Sequence, residues 1–209
     1  MDEALESILT KEGAWVFHSG GKSIEFNKDG SGELWCCEDA HFWIAMVFEW
    51  THCEKIEPRG EQTAMKNVQK KGGPRTLGTL ELVVTVKPQL PEKLDRQPGA
   101  RAHVLNERGL TEDAFQPKRF TITVEQGNFV EPCYVGESSS FSSRYAFRLV
   151  FDKSPYPPRS EWKSPEGGPD SAQFWNITEF VGRQSDELKR GRAMNDVAAG
   201  GSWNYCQIM

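Results

Sequence analysis

The run His41-Phe-Trp-Ile-Ala-Met-Val-Phe-Glu-Trp50 limits the fold more than any other stretch of the chain. Alternate residues Phe42, Ile44, Met46, Phe48 and Trp50 form one apolar face. His41, Trp43, Ala45, Val47 and Glu49 form the other. A period of two with both faces largely apolar predicts a strand covered on both sides. A buried helix would match the apolarity equally well. The aromatic and β-branched content, and the turn signals on either side, favour the strand.

Around this strand the chain reads as an antiparallel meander. Residues 2–11 predict a short amphipathic helix, with Leu5, Ile8 and Leu9 at helical spacing and acids near its N-terminus, where the macrodipole favours them. Gly13 can end it. Trp15–Phe17, Ser23–Asn27 and Glu33–Cys37 follow as short strands, with Gly20-Gly21 and Lys28–Gly32 as turns. Later strands are predicted over 79–86, 120–124 and 145–151, with a turn at Gly127-Asn128. Residues 54–76 and 87–117 are polar, Pro-containing interruptions, lids or slack. Residues 152–172 read as an extended arm, 174–181 as strand or helix, and 186–197 as helical. The domain reading is one barrel over 1–182 and a helical or flexible tail over 183–209.

Seven Trp and twelve Phe supply large buried area for a chain of 209 residues, enough for one sizeable core. The net charge of −5 does not recommend nucleic acid, since the basic clusters, Lys70-Lys71 and Lys189-Arg190 with Arg192, are short. No stretch reaches the ~18 apolar residues of a membrane span, and Met1–Glu6 lacks the basic and apolar regions of a signal peptide. The expected location is cytoplasmic, with reduced cysteines.

Seven or eight antiparallel strands with two long interruptions predict an all-β barrel or sandwich. The short helix followed by Gly13-Ala14-Trp15 resembles the opening of the lipocalins and their calycin relatives, where a Gly-x-Trp closes the barrel floor. The resemblance covers those three residues and the strand order. The two long interruptions depart from it, and so does the lack of a matching motif for the late-strand Arg that the family often places over the Trp. Arg148 and Arg159 are the candidates for that role. The resemblance implies an antiparallel calycin-like β-barrel with a short N-terminal helix, to which this chain adds long irregular insertions.

If such a barrel is wide, its inward residues line an apolar cavity, and otherwise they form a filled core. The ligand-binding candidates are Phe42, Met46, Phe48, Trp50, Phe120, Tyr145, Phe147 and Arg148. Glu49 and His52 are the catalytic candidates, because an acid or base beside an apolar cavity can act on a bound substrate. Cys36-Cys37 and His52-Cys53 have poor metal spacing, and no Cys-x-x-Cys is present, so neither metal nor cofactor is expected. No Gly-x-Ser-x-Gly elbow supports a Ser hydrolase. Cys206-Gln-Ile-Met209 resembles a C-a-a-X prenylation box, which makes Cys206 a lipidation candidate. A single chain would give weak membrane association.

The functional expectation is a barrel that binds a hydrophobic small molecule. The alternatives are a cofactor-independent isomerase or cyclase on the same scaffold, which leaves enzymatic activity open, and a membrane-tethered interaction module. The face carrying Trp43 and Val47 needs a cover: the N-terminal helix, the Pro-rich arm with Trp162, or the second subunit of a homodimer.

Overall fold

A computed structural model describes residues 2–38, 41–53, 73–97, 99, 102, 104–136, 142–188 and 193–197. Eight antiparallel strands close into a barrel in simple sequence order. They are β1 (Ala14–His18), β2 (Lys22–Phe26), β3 (Ser31–Glu38), β4 (His41–His52), β5 (Arg75–Val86), β6 (Lys118–Phe129), β7 (Tyr145–Phe151) and β8 (Glu179–Gln184). Closure comes through Val16 of β1 opposite Val181 of β8. Among the described residues no helix is long and apolar enough to cross a membrane.

The period-two pattern becomes the barrel interior. Cross-strand partners such as Leu34 and Met46, Trp50 and Val84, Leu82 and Phe120, and Leu149 and Phe180 lie on one face. All belong to a single apolar core. Helix α1 (Asp2–Lys11) closes the end at which β1 begins. Its Leu9 carbonyl accepts a hydrogen bond of 3.0 Å from Trp15 Nε1, and Trp15 is fully buried. Gly13, at φ 68°, takes the left-handed turn between helix and strand that glycine permits. Leu5 packs against the bare backbone of Gly78.

The opposite end is closed by residues 152–177. Pro155, Pro157 and Pro158 keep this arm out of the sheet, and its short elements are a 3-10 turn at Arg159–Glu161, helix α4 (Gly168–Ala172) and a 3-10 turn at Phe174–Asn176. Tyr156 and Phe174 enter the core, and Tyr156 Oη donates to the Trp35 carbonyl at 2.6 Å.

The arm also covers part of the outer face of β4. Trp43 lies 6.5 Å from Trp162 and 6.1 Å from Phe174, centroid to centroid, and rests on Gly168. Further along, the chain leaving β5 keeps pairing with β4 through Lys87 and Gln89 on either side of Val47. It then turns away through helices α2 (Glu92–Asp95) and α3 (Asn106–Gly109). Leu90, Leu94 and Val104 cover Ala45, with Trp35 packed alongside. The ladder is completed by a side chain. Asn106 Oδ1 accepts from the Ala45 N–H at 2.8 Å, and its Nδ2 donates to the Ala45 carbonyl at 2.7 Å. The Pro-rich arm is therefore the cover that Trp43 required, and Leu90, Leu94, Val104 and Asn106 cover Ala45.

Three expectations shift. The predicted turn at Gly127-Asn128 is a bulge inside β6, which continues to Phe129 and pairs it with Tyr145. Strand β5 begins at Arg75 rather than 79. The described part of 186–197 is a turn and a short 3-10 element at Met194–Val197, not a continuous helix.

Candidate functional site

The barrel interior is the first site to consider, because most of the expected ligand-binding residues lie there. Met46, Phe48, Trp50, Phe120 and Phe147 all have buried side chains in the core. Near the α1 end, Phe26 stands edge-on to Phe48 at 5.3 Å and to Trp50 at 5.6 Å. Trp50 Nε1 donates to the Asn27 and Ser31 carbonyls, so its polar edge is satisfied while its ring stays inside. Under the arm, Phe120, Phe151, Phe180 and Tyr156 follow one another, edge-on and then tilted, with centroid spacings of 5.9, 5.7 and 6.3 Å. Burial, and then neighbouring Cys36, push the Tyr156 phenol well above its ordinary pKa, so it stays a neutral donor. Phe42 lies in β4 opposite Cys37, and its side chain is outside the described residues, as is Cys206.

Arg148 lies on the outside. Its guanidinium bonds Glu125 at 2.7 and 2.8 Å and Glu179 at 3.1 Å, and it sits 5.2 Å from the Phe129 ring centroid. Tyr145 belongs with Phe129, Val181, Val16 and Met194 in a cluster separate from the core that holds Phe147. Glu49 is exposed and ion-paired with Lys87 at 2.8 Å. His52 is half-buried at the end of β4, on the opposite side of the strand from Glu49 by alternation, so the two do not meet. Glu81 is paired with Arg119. A further late-strand arginine is Arg183, in β8. It follows Gly182, whose backbone faces the Trp15 ring, pairs with Glu12 and stacks 4.5 Å over Phe147.

Sequence spacing missed a second constellation. Beyond β6 the chain folds back across the outside of the barrel, through a 3-10 turn at Pro132–Tyr134 that packs on β1 and β8. This brings Glu131 to the end of β1. Glu131 is 5 % exposed. Its Oε2 accepts from the Ser19 N–H at 2.9 Å and from the Cys133 thiol at 3.9 Å, and its Oε1 accepts from Tyr145 Oη at 2.9 Å. His18 stands beside them. Its Nδ1 accepts from the Gly20 N–H at 3.2 Å, and its Nε2 is 3.5 Å from Tyr134 Oη. Burial, and then the hydrogen bond to Glu131, hold the Tyr145 phenol well above its ordinary pKa, so it donates. Ser19 and His18 are more than a hundred residues from Glu131 and Tyr134 along the chain, which is why no local motif announces the group.

No family model, curated protein or solved structure matches this chain.

Proposed function

We propose that the barrel binds a hydrophobic small molecule, admitted at the end closed by residues 152–177. The carrying observation is that an apolar, aromatic interior is sealed at this end by one long connection, residues 152–177 between β7 and β8, rather than by a tight turn. The other end is plugged by α1 and Trp15, a calycin-like arrangement. With the arm seated, Tyr156 and Phe174 occupy the mouth, so entry requires their withdrawal. Withdrawal has to break the Tyr156–Trp35 hydrogen bond, the backbone bonds from the Thr111 N–H to the Glu161 carbonyl and from the Lys163 N–H to the Gly109 carbonyl, and the Lys118–Glu161 ion pair.

The test is native mass spectrometry after exposure of the purified protein to a total lipid extract and to N-phenylnaphthylamine. The reading expects one retained apolar molecule per chain and faster uptake by Tyr156→Ala. Retention of nothing by either protein overturns it.

A further inference from the structure

We infer that His18, Glu131 and Cys133 form a binding site for a divalent transition-metal ion of the zinc class, on the outside of the barrel and independent of its interior. Three observations carry this. The first is proximity: one donor atom from each of the three side chains lies within 4.8 Å of the other two. Donor atoms around a tetrahedral zinc ion stand roughly 3.3–3.8 Å apart, given bonds of about 2.0–2.3 Å. Small side-chain rotations close the difference.

The second is charge. Glu131 is buried, and its contacts are a backbone N–H, a phenol and a thiol, all neutral donors. Among the described residues no Lys or Arg forms an ion pair with it. A buried carboxylate without a cation is costly. A divalent ion held by the carboxylate, a Cys133 thiolate and a neutral His18 imidazole gives a site of zero net charge.

The third is the supporting shell. Tyr145 Oη and Ser19 N–H hold the carboxylate from two sides, with Oε2 towards Cys133. Outer partners of this kind orient a ligand and set its affinity. The mixed imidazole, thiolate and carboxylate set favours zinc or cobalt over magnesium or calcium, which prefer oxygen alone. Three protein ligands leave a fourth position for water on the half-exposed side of His18.

Binding has a defined proton balance. The Cys133 S–H bond breaks, the sulfur–metal bond forms, and one proton leaves to solvent. Coordination through His18 Nε2 moves the ring proton to Nδ1 and releases the Gly20 N–H, so the hairpin between β1 and β2 senses the ion.

Cobalt(II) titration of the full chain tests the site, since thiolate-to-cobalt charge transfer absorbs in the near ultraviolet. One equivalent is expected to bind with that band and to shift the Gly20 amide resonance. Cys133→Ser should lose the band, and His18→Ala should bind at least about 100-fold more weakly. Tyr145→Phe should keep the band with about tenfold weaker binding. Cys37→Ser and Cys53→Ser should match the parent. Circular dichroism of each metal-free variant checks folding, and if Cys133→Ser unfolds, X-ray absorption on the cobalt-loaded parent reports the cobalt–sulfur shell instead. The inference fails if the parent shows neither band nor cobalt–sulfur shell, or if a folded Cys133→Ser binds with the parent's spectrum and affinity.

Discussion

Asn106 tests how β4 is held. Its amide makes both hydrogen bonds of the Ala45 peptide groups, at 2.8 and 2.7 Å, and is 1 % exposed. Asn106→Ala removes both partners and leaves a buried N–H and a buried C=O. Each orphaned backbone group costs about 1–3 kcal/mol, so the pair costs about 2–6 kcal/mol. Asn106 also sits at φ 34°, where alanine is strained by roughly 1 kcal/mol more. Asn106→Gly removes the bonds without the strain, and the difference between the two variants isolates the backbone term.

Urea denaturation of parent, Asn106→Gly and Asn106→Ala gives the free energies. A loss of about 4 kcal/mol corresponds to a Tm decrease of roughly 10 °C for a chain of this size. Hydrogen exchange supplies the local readout: the Ala45 amide should be protected in the parent and should exchange much faster in both variants, while Met46 keeps most of its protection. If Asn106→Gly loses less than about 1 kcal/mol and Ala45 stays protected, the amide is not what completes the β4 edge.

Other substitutions examine the remaining supports. Gly168→Ala places a methyl 2.1 Å from the Trp43 ring and should destabilise by about 1–3 kcal/mol with a shift in tryptophan emission, and a silent substitution would mean the arm is not seated on β4. Arg148→Met strands Glu125 and Glu179. Since Glu179 is 38 % exposed and screened, a loss of about 1–3 kcal/mol is expected in urea melts, and Glu125→Met in the same chain should recover part of it. The raised Tyr145 pKa stabilises the fold fully below the unfolded phenol value near pH 10, and that stability is lost as pH climbs towards the higher folded value. Tyr145→Phe should therefore flatten the decline in stability above pH 10 and delete one late phenol from the ultraviolet titration. A parent and variant with the same alkaline slope would refute this.

What could be seen in the sequence was what alternation controls. Phe48 and Trp50 inward makes Glu49 outward, and Lys87 meets it there. The two-sided apolarity of β4 correctly demanded an outer cover, and Trp162 was among the side chains able to supply it. What stayed hidden depends on contacts distant in sequence. Gly127-Asn128 has the composition of a turn, yet pairing of Phe129 with Tyr145 carries the strand past it. Gly127 is tolerated there because the Phe129 ring and the Met194 sulfur approach its backbone too closely for a side chain. The same holds for two asparagines outside the sheet, a residue type that local rules favour in turns. Asn106 holds both polar groups of Ala45, and Asn195 holds both polar groups of Val130, at 3.2 and 2.9 Å. Both satisfy backbone where the regular ladder stops, so the barrel's irregular segments are fastened to it by side-chain copies of a strand's own bonds. The His18–Glu131–Cys133 cluster depends on the second of these clamps, because Val130 is the residue immediately before Glu131. Loss of Asn195 should loosen the turn that carries Glu131 and Cys133 while leaving the barrel interior in place.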